Sequence, residues 1–425
     1  MRTMRLMMVV LLLAVALQAE PLPFRQAIQL AVKRSALISA AEQNRAHQAY
    51  LEATRMYIPQ IIAGSGLAKT YGFPLSIEGS APSVVNVNGT GYLINPEHRE
   101  MVRAARVEWD ATAFSSEDRR QQTILDTAVT YTQLDRMVTA LHLLQQQQEE
   151  AARGEKITAE RVQAGVEPEL ELTRARLASA RVRVGIAQVE GNVDTLRNLL
   201  AQATGLPAQG IETVTESIPQ LPEVSQAEDL PSKAASVNPS VKLAFAEAEA
   251  KQFRARGEHK AFLPAIDFVG QYGLFAAYNN YETFFTHFQR NNAVVGVAIR
   301  FPFFNMSQRA LAAAADTEAV QALRQAEDTK NKVSNQTRKL QHEVAQLAAA
   351  REVSRLEYQL ARADVDAVQT KLQAGSATLR DEANARLEES QKYSAFLDAS
   401  YQLEQAQMQL LRSTGELEKW AFAQK

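Results

Sequence analysis

Two carboxylates stand at equivalent places in a sequence that repeats itself. Glu171 and Asp381 each follow a glycine by six residues, after Gly165 and Gly375, and each falls in the first turn of a predicted helix. The helix dipole stabilises a carboxylate at that position by about 0.3 to 1 kcal/mol. The spacing therefore offers fixed negative charge, and an ordinary helix-end charge is the alternative interpretation.

The other reactive side chains form no catalytic or metal-binding pattern. The six histidines lack a His-Glu-x-x-His motif or close metal-ligand spacing. The Gly64-Ser65-Gly66 segment is not followed by the Gly-Lys-Ser of a phosphate-binding loop. We therefore predict no catalytic residue, no metal site and no cofactor, and an enzyme is the least favoured of three functions considered.

The chain is an internal duplication. The Ala-Gly pair at 164–165, the Ala-Arg-Leu at 175–177 and the Thr-Gly at 204–205 all recur 210 positions later. Each copy predicts a helix, a tight glycine turn and a returning helix. Upstream segments also match, with an offset of 205, so we expect two interleaved copies rather than two independent domains.

Composition limits where the protein acts. Residues 1–19 carry two arginines before a short apolar run and end in Leu-Gln-Ala, which predicts a secretory signal peptide. No later stretch approaches 18 consecutive apolar residues, so a membrane-spanning part would have to consist of strands. There is no cysteine, and a net charge of -2 gives no reason to expect nucleic acid as a partner.

Changes in composition and periodicity along the sequence set the bounds of the predicted helices and strands. The first repeat, 20–205, is predicted to hold a helix at 24–58, strands at 60–73 and 83–94, a long helix at 96–164 and a returning helix at 166–203. After a proline-rich linker at 206–231, the second repeat, 232–415, is predicted to hold a helix at 232–262, strands at 264–278 and 291–304, and helices at 305–374 and 376–413. A tail covers 416–425.

The predicted strands alternate in polarity. Odd positions from 293 to 303 and even positions from 266 to 278 are apolar, which is typical of transmembrane β-strands but also of a soluble sheet packed on a core. Asp267 and Arg300 fall on the polar side, where they either line a lumen or pair with each other. Four strands cannot close a barrel, and lipid does not tolerate an open edge, so a membrane sheet requires several chains.

In the order and spacing of these features the chain resembles the TolC family of outer-membrane efflux and secretion channels. The resemblance rests on the duplicated helix, strand pair, long helix and short helix, on the Pro-Phe-Phe strand end at 302–304 and its following Asn305, on Asn238-Pro239, and on the tip motifs. It implies a mainly α fold in which duplicated hairpins form an α-helical barrel. Four strands per chain would contribute to a shared 12-stranded transmembrane β-barrel.

The resemblance also implies partners and a location. We expect a homotrimer in outer-membrane lipid of a Gram-negative-type bacterium, extending into the periplasm and serving a periplasmic adaptor and an inner-membrane transporter. The alternative is a secreted periplasmic structural coiled-coil protein without channel activity. Asn384 and Pro168 depart from the family pattern at the tips, which concerns gating rather than fold.

The two turns are the predicted docking surface. We expect both glycines to adopt a backbone conformation that is costly for other residues, and the family's tip acids to correspond to Glu171 and Asp381 as a ring of tunnel-mouth acids. The predicted adaptor-docking residues are Gly165, Val166, Glu167, Pro168 and Glu169 in the first turn and Gly375, Ser376, Ala377, Thr378 and Leu379 in the second.

Overall fold

A computed structural model describes residues 21–66, 83–222, 229–275, 287, 289–302 and 305–423. Outside these residues lie the predicted signal peptide, the segment between the first two predicted strands, and parts of three predicted strands and of the linker, namely 67–73, 276–278, 303–304 and 223–228. The described chain is mainly helical. Its helices are α1 (Phe24–Arg55), α2 (Pro96–Gln163), α3 (Glu169–Thr204), α4 (Leu230–Val237), α5 (Pro239–Lys260), α6 (Met306–Gln373), α7 (Leu379–Ser413) and α8 (Leu417–Ala421).

The duplication is visible in the long helices. Helices α2 and α6 both contain 68 residues, and their ends differ by the same 210 positions that relate the two copies. Proline is absent from both interiors, so nothing interrupts the backbone hydrogen bonds over that length. Within the described ranges, no helix combines the length and the apolar character that crossing a membrane requires.

The predicted helix at 232–262 is wrong, because the structure divides it into α4 and α5. Asn238, between the two helices, has an extended backbone with φ −61° and ψ 126°. A residue that precedes proline is pushed out of the helical region by the proline ring, and here Pro239 follows. Pro239 then begins α5, where its missing N–H costs nothing.

The described strands form two sheets. β1 (Pro21–Leu22) pairs in parallel with β4 (Glu212–Thr213). The larger sheet is antiparallel and has the order β2 (Gln60–Gly64), β3 (Ser83–Ile94), β5 (Ala265–Phe275) and β6 (Asn291–Arg300). Each copy thus contributes two neighbouring strands, and β3 and β5 join the copies at the centre.

The register of the larger sheet separates polar from apolar side chains. Phe268 lies opposite Val297 and Ile266 opposite Ile299, so the two predicted apolar sets share one face, which confirms that part of the prediction. Asn291 lies opposite Leu274 on this apolar face. Because side chains alternate along a strand, eight polar residues share the other face. They are Gln60, Asn86, Asn88, Thr90, Asp267, Gln271, Asn292 and Arg300.

The chain divides into two compact units, and each takes segments from both copies. One contains described residues of 1–38, 116–238 and 331–425, and the other contains those of 39–115 and 239–330. Neither copy is therefore a compact unit by itself, as the duplication led us to expect. The four-stranded sheet belongs to the second unit, and both glycine turns belong to the first.

The first unit has a core around one tyrosine. The Tyr131 hydroxyl is fully buried, donates to the Leu22 carbonyl at 2.6 Å and accepts the Val214 N–H at 2.8 Å. The Phe24 ring packs edge-on against Tyr131 and Trp420, with centroids 5.3 and 5.5 Å apart. These contacts join β1, the linker between the copies and the C-terminal helix α8.

Candidate functional site

The two glycine turns have the same backbone structure. Gly165 and Gly375 both have φ +72°, a left-handed conformation that confirms the prediction for both residues. At the first turn, the N–H of Gly165 donates to the Val162 carbonyl at 3.0 Å and the N–H of Val166 to the Arg161 carbonyl at 2.9 Å. The second turn repeats both bonds at 3.0 and 2.9 Å. Each long helix therefore ends in a Schellman motif.

The returning helices begin differently in the two copies. Thr378 caps α7: its hydroxyl accepts the Asp381 N–H at 3.3 Å, while an Asp381 carboxylate oxygen accepts the Thr378 N–H at 2.9 Å and its hydroxyl at 2.7 Å. These bonds from Thr378 lower the pKa of Asp381. At α3 the same place is held by Pro168, which makes no side-chain cap, and Glu171 instead pairs with Arg174 at 2.5 Å.

The surfaces of the two turns also differ. Val166 and Leu170, at the first turn, are 66% and 56% exposed. An ion pair from Arg161 to Glu167, at 3.0 Å, crosses this turn. The second turn presents small polar groups, and its Ser376 hydroxyl donates to a backbone carbonyl of α6 at 3.1 Å.

The structure thus brings the predicted docking residues together in two groups. Each group lies within one turn and the start of one helix, and the description of Leu379 is limited to its backbone. The docking role of these residues and the tunnel-mouth role of Glu171 and Asp381 remain predictions.

Asp267 and Arg300 form an ion pair on the polar face of the larger sheet. The Arg300 Nε lies 2.8 Å from an Asp267 carboxylate oxygen. Asp267 lies directly opposite Ala298, and Arg300 is two residues further along β6, so the pair is diagonal across neighbouring strands. Asp267 and Arg300 therefore pair with each other, and a paired residue can also face a lumen.

Sequence reasoning missed the contacts that join the two hairpins. Arg136 of α2 donates to the Leu397 carbonyl and to Glu404, both in α7, at 2.6 and 2.5 Å. Tyr401 donates to Gln133 at 3.1 Å. These partners are more than 260 positions apart, and no spacing rule connects them. By contrast, the Thr378-x-x-Asp381 cap has a sequence signature and could have been found.

Within the part of the chain that the structure describes, no group of three or more His, Cys, Asp or Glu side chains is placed to hold a metal ion. The geometry therefore consists of two helical turns with fixed charges and a sheet with one polar and one apolar face.

Comparison with known proteins identifies the family. The model of the outer membrane efflux protein family matches residues 94–206 and 230–416, which together cover well over half of the chain. The chain belongs to the outer membrane efflux protein family. The matched ranges include α2, α3 and both glycine turns, and also the second copy from α4 to the end of α7.

Several solved structures share the fold of this chain. The outer membrane protein VceC of Vibrio cholerae has a TM-score of 0.73 at 16% identity, over 92% of this chain and 96% of VceC. The CmeC outer membrane channel of Campylobacter jejuni gives 0.76 and 16%, over 93% and 86%. The MtrE outer membrane channel of Neisseria gonorrhoeae gives 0.73 and 15%, over 95% and 91%. No curated protein sequence matches the chain.

Proposed function

We propose that this efflux-family chain forms a trimeric exit duct in the outer membrane that extends into the periplasm. The duct works with a periplasmic adaptor and an inner-membrane transporter, for efflux or for type I secretion. The observation that carries the proposal is the four-stranded sheet, because its apolar face is uncovered and its outer strands leave backbone groups to be paired.

The apolar face supports contact with lipid. Val295, Val297 and Ile299 alternate along β6 and are 76%, 62% and 54% exposed in the single chain. A contiguous apolar surface of this kind is unfavourable in water. Outward-facing apolar side chains and inward-facing polar ones are the arrangement of a transmembrane barrel strand.

The sheet edges support association of several chains. β2 and β6 are the outer strands, each paired on one side only among the described residues. In lipid an unpaired edge is not tolerated, so the edges must meet those of other copies. Three copies of four strands make a 12-stranded barrel, the number that the resemblance implies.

The two turns supply the docking surface for the adaptor in this proposal. The exposed Val166 and Leu170 offer apolar contacts, and the second turn offers polar ones. Three chains would place six acidic side chains, from Glu171 and Asp381, near the tunnel mouth, where like charges attract cations. Enzyme activity has no part in the proposal.

Paired substitutions in β6 test the proposal. Val297→Lys places a charge on the apolar face, and a lysine in the lipid-facing midplane costs about 2 to 4 kcal/mol. Gly296→Lys, on the polar face, is the matched control, because a side chain added at Gly296 meets nothing within 4 Å. We expect wild type and Gly296→Lys to remain in outer membranes after a salt wash and to conduct in planar bilayers, and Val297→Lys to be lost from the membrane.

Two outcomes would contradict the duct. Recovery of the wild-type chain in soluble periplasm would favour the structural coiled-coil alternative. Equal behaviour of the two lysine variants would show that the apolar face does not contact lipid.

A further inference from the structure

The four strands of the larger sheet contain a single acidic and a single basic side chain. Across the ranges of β2, β3, β5 and β6, Asp267 and Arg300 are the charged residues, and the other polar side chains are amides and hydroxyls. The two charges are also bonded to each other at 2.8 Å. The polar face of the described strands therefore carries no net charge.

The pair is asymmetric in exposure. The Arg300 side chain is 62% exposed, whereas the Asp267 side chain is 15% exposed. Asp267 lies between Tyr92 on β3 and the small Ala298 on β6, and Ala298 leaves room for Arg300 to reach back over the carboxylate. The second carboxylate oxygen of Asp267 is buried and has no hydrogen-bond partner among the described residues. Arg300 is thus the bonded partner that compensates the largely covered carboxylate of Asp267.

We infer that Asp267 and Arg300 form a charge-compensated ring in the duct, three pairs in all, which lets the strand-lined section pass solutes of either charge sign. This inference rests on the proposed function, because the ring exists only if the polar face lines a lumen. At physiological ionic strength, exposed charges are screened beyond about 8 Å, so a bonded pair produces little electric field at that distance. This lining suits small-molecule cargoes of either charge sign. Any selection by charge would be made elsewhere in the duct.

Removing one partner should expose the charge of the other. A narrow, low-dielectric passage focuses the field of an uncompensated charge, and rings of charged side chains set ion selectivity in channels. Asp267→Asn leaves three guanidinium groups without their bonded carboxylate and should favour anions. Arg300→Gln leaves three carboxylates and should favour cations. The double variant has no strand charge and should behave as wild type does.

The test is the reversal potential of single channels of the full-length protein in planar bilayers under a KCl gradient. We expect Asp267→Asn to shift it toward the chloride equilibrium potential, Arg300→Gln to shift it toward the potassium one, and the double variant to return it to the wild-type value. Gln271→Asn, on the same face of β5, changes volume without changing charge and should leave the value unaltered. Glu97, at the start of α2, also lies in the field of Arg300 and is kept in every variant.

The results distinguish a failure of the proposed ring from a failure of the proposed duct. If the wild-type protein conducts and Asp267→Asn has the wild-type reversal potential, the ring is wrong and the duct stands. A double variant that shifts as far as Asp267→Asn would also overturn the compensation. If the wild-type protein does not conduct, both the duct and the ring fail. Should Arg300→Gln not assemble, Asp267→Asn and the double variant decide the question.

Discussion

At the scale of single residues, the two tip acids differ although the duplication places them equivalently. Asp381 is held by the backbone and hydroxyl of Thr378, whereas Glu171 is paired with an arginine one turn along α3. The capping bonds favour the ionised form of Asp381, so its pKa is lowered. Asp381 therefore stays charged as the pH falls below the usual range of an aspartate.

The first prediction concerns this charge. In single-channel recordings, Asp381→Ala combined with Glu171→Ala should weaken cation selectivity or block by added cations. Thr378→Val removes the hydroxyl bond, the larger of the two Thr378 bonds that lower the pKa of Asp381, and keeps the backbone one, so cation block should be lost at a higher pH than in wild type. Ser376→Ala, at the same turn, is the control. Unchanged block in the double variant would show that both acids are ordinary helix-end charges.

The second prediction concerns the core of the first unit. Tyr131→Phe removes the hydroxyl that bonds Leu22 and Val214 and leaves one buried and one partly buried backbone group without this partner. An unsatisfied buried polar group costs about 1 to 3 kcal/mol. The free energy of unfolding in detergent should fall by about that amount. Tyr393→Phe, where the ring packs on Tyr358, should change it less; equal losses would contradict the role of the hydroxyl.

At the scale of elements, the turns combine one strained position with two exposed helix ends. Gly375 has φ +72° and open space around it, so a larger residue is disfavoured by backbone conformation and not by a clash. The left-handed conformation costs other residues about 1 to 2 kcal/mol. A substitution here should therefore change the turn and leave the helices intact.

The third prediction tests this separation. Gly375→Val should impair coupling to the adaptor, measured as efflux in cells, without lowering the yield of trimer. Gly154→Val, in the interior of α2 and also without neighbours within 4 Å, has an ordinary helical backbone and should leave efflux unchanged. Wild-type efflux in the Gly375 variant would remove the turn from the mechanism.

A structural feature could be predicted from the sequence when its physical cause lies within a few neighbouring residues. The glycine turns followed from local backbone chemistry, and the two-faced sheet followed from alternation, because each signal lies within a few residues. The division at Asn238 was missed although Pro239 marks it, since the long-range pattern of the first copy suggested one helix. The bonds of Arg136 to α7 could not be predicted, because they depend on how distant helices pack.

At the scale of the whole molecule, the single chain leaves apolar helix surface uncovered. Val353, Leu356 and Leu360 lie along one side of α6 and are 55%, 51% and 66% exposed. Residues three and four apart share a helix face, so these side chains form one stripe. The stripe supports association with other copies, in agreement with the unpaired sheet edges.

The fourth prediction is the trimer itself. Sedimentation in detergent should give a single species of three chains, and Leu356→Glu with Leu360→Glu should reduce its amount, because two carboxylates would be buried between chains. Arg362→Glu, on the opposite side of α6, should not. A stable monomer with full β-content would contradict both the trimer and the barrel.

The equal length of α2 and α6 should restrict insertions and deletions in these two helices. Adding or removing a heptad in one long helix alone would place the glycine turn of one hairpin out of step with its counterpart, so such changes are tolerated only when both copies change together. The segments between paired strands carry no such constraint: 18 residues separate β2 from β3, and 15 separate β5 from β6. Natural length variation among relatives should therefore concentrate between strands, and an alignment of relatives with unequal long helices would refute this expectation.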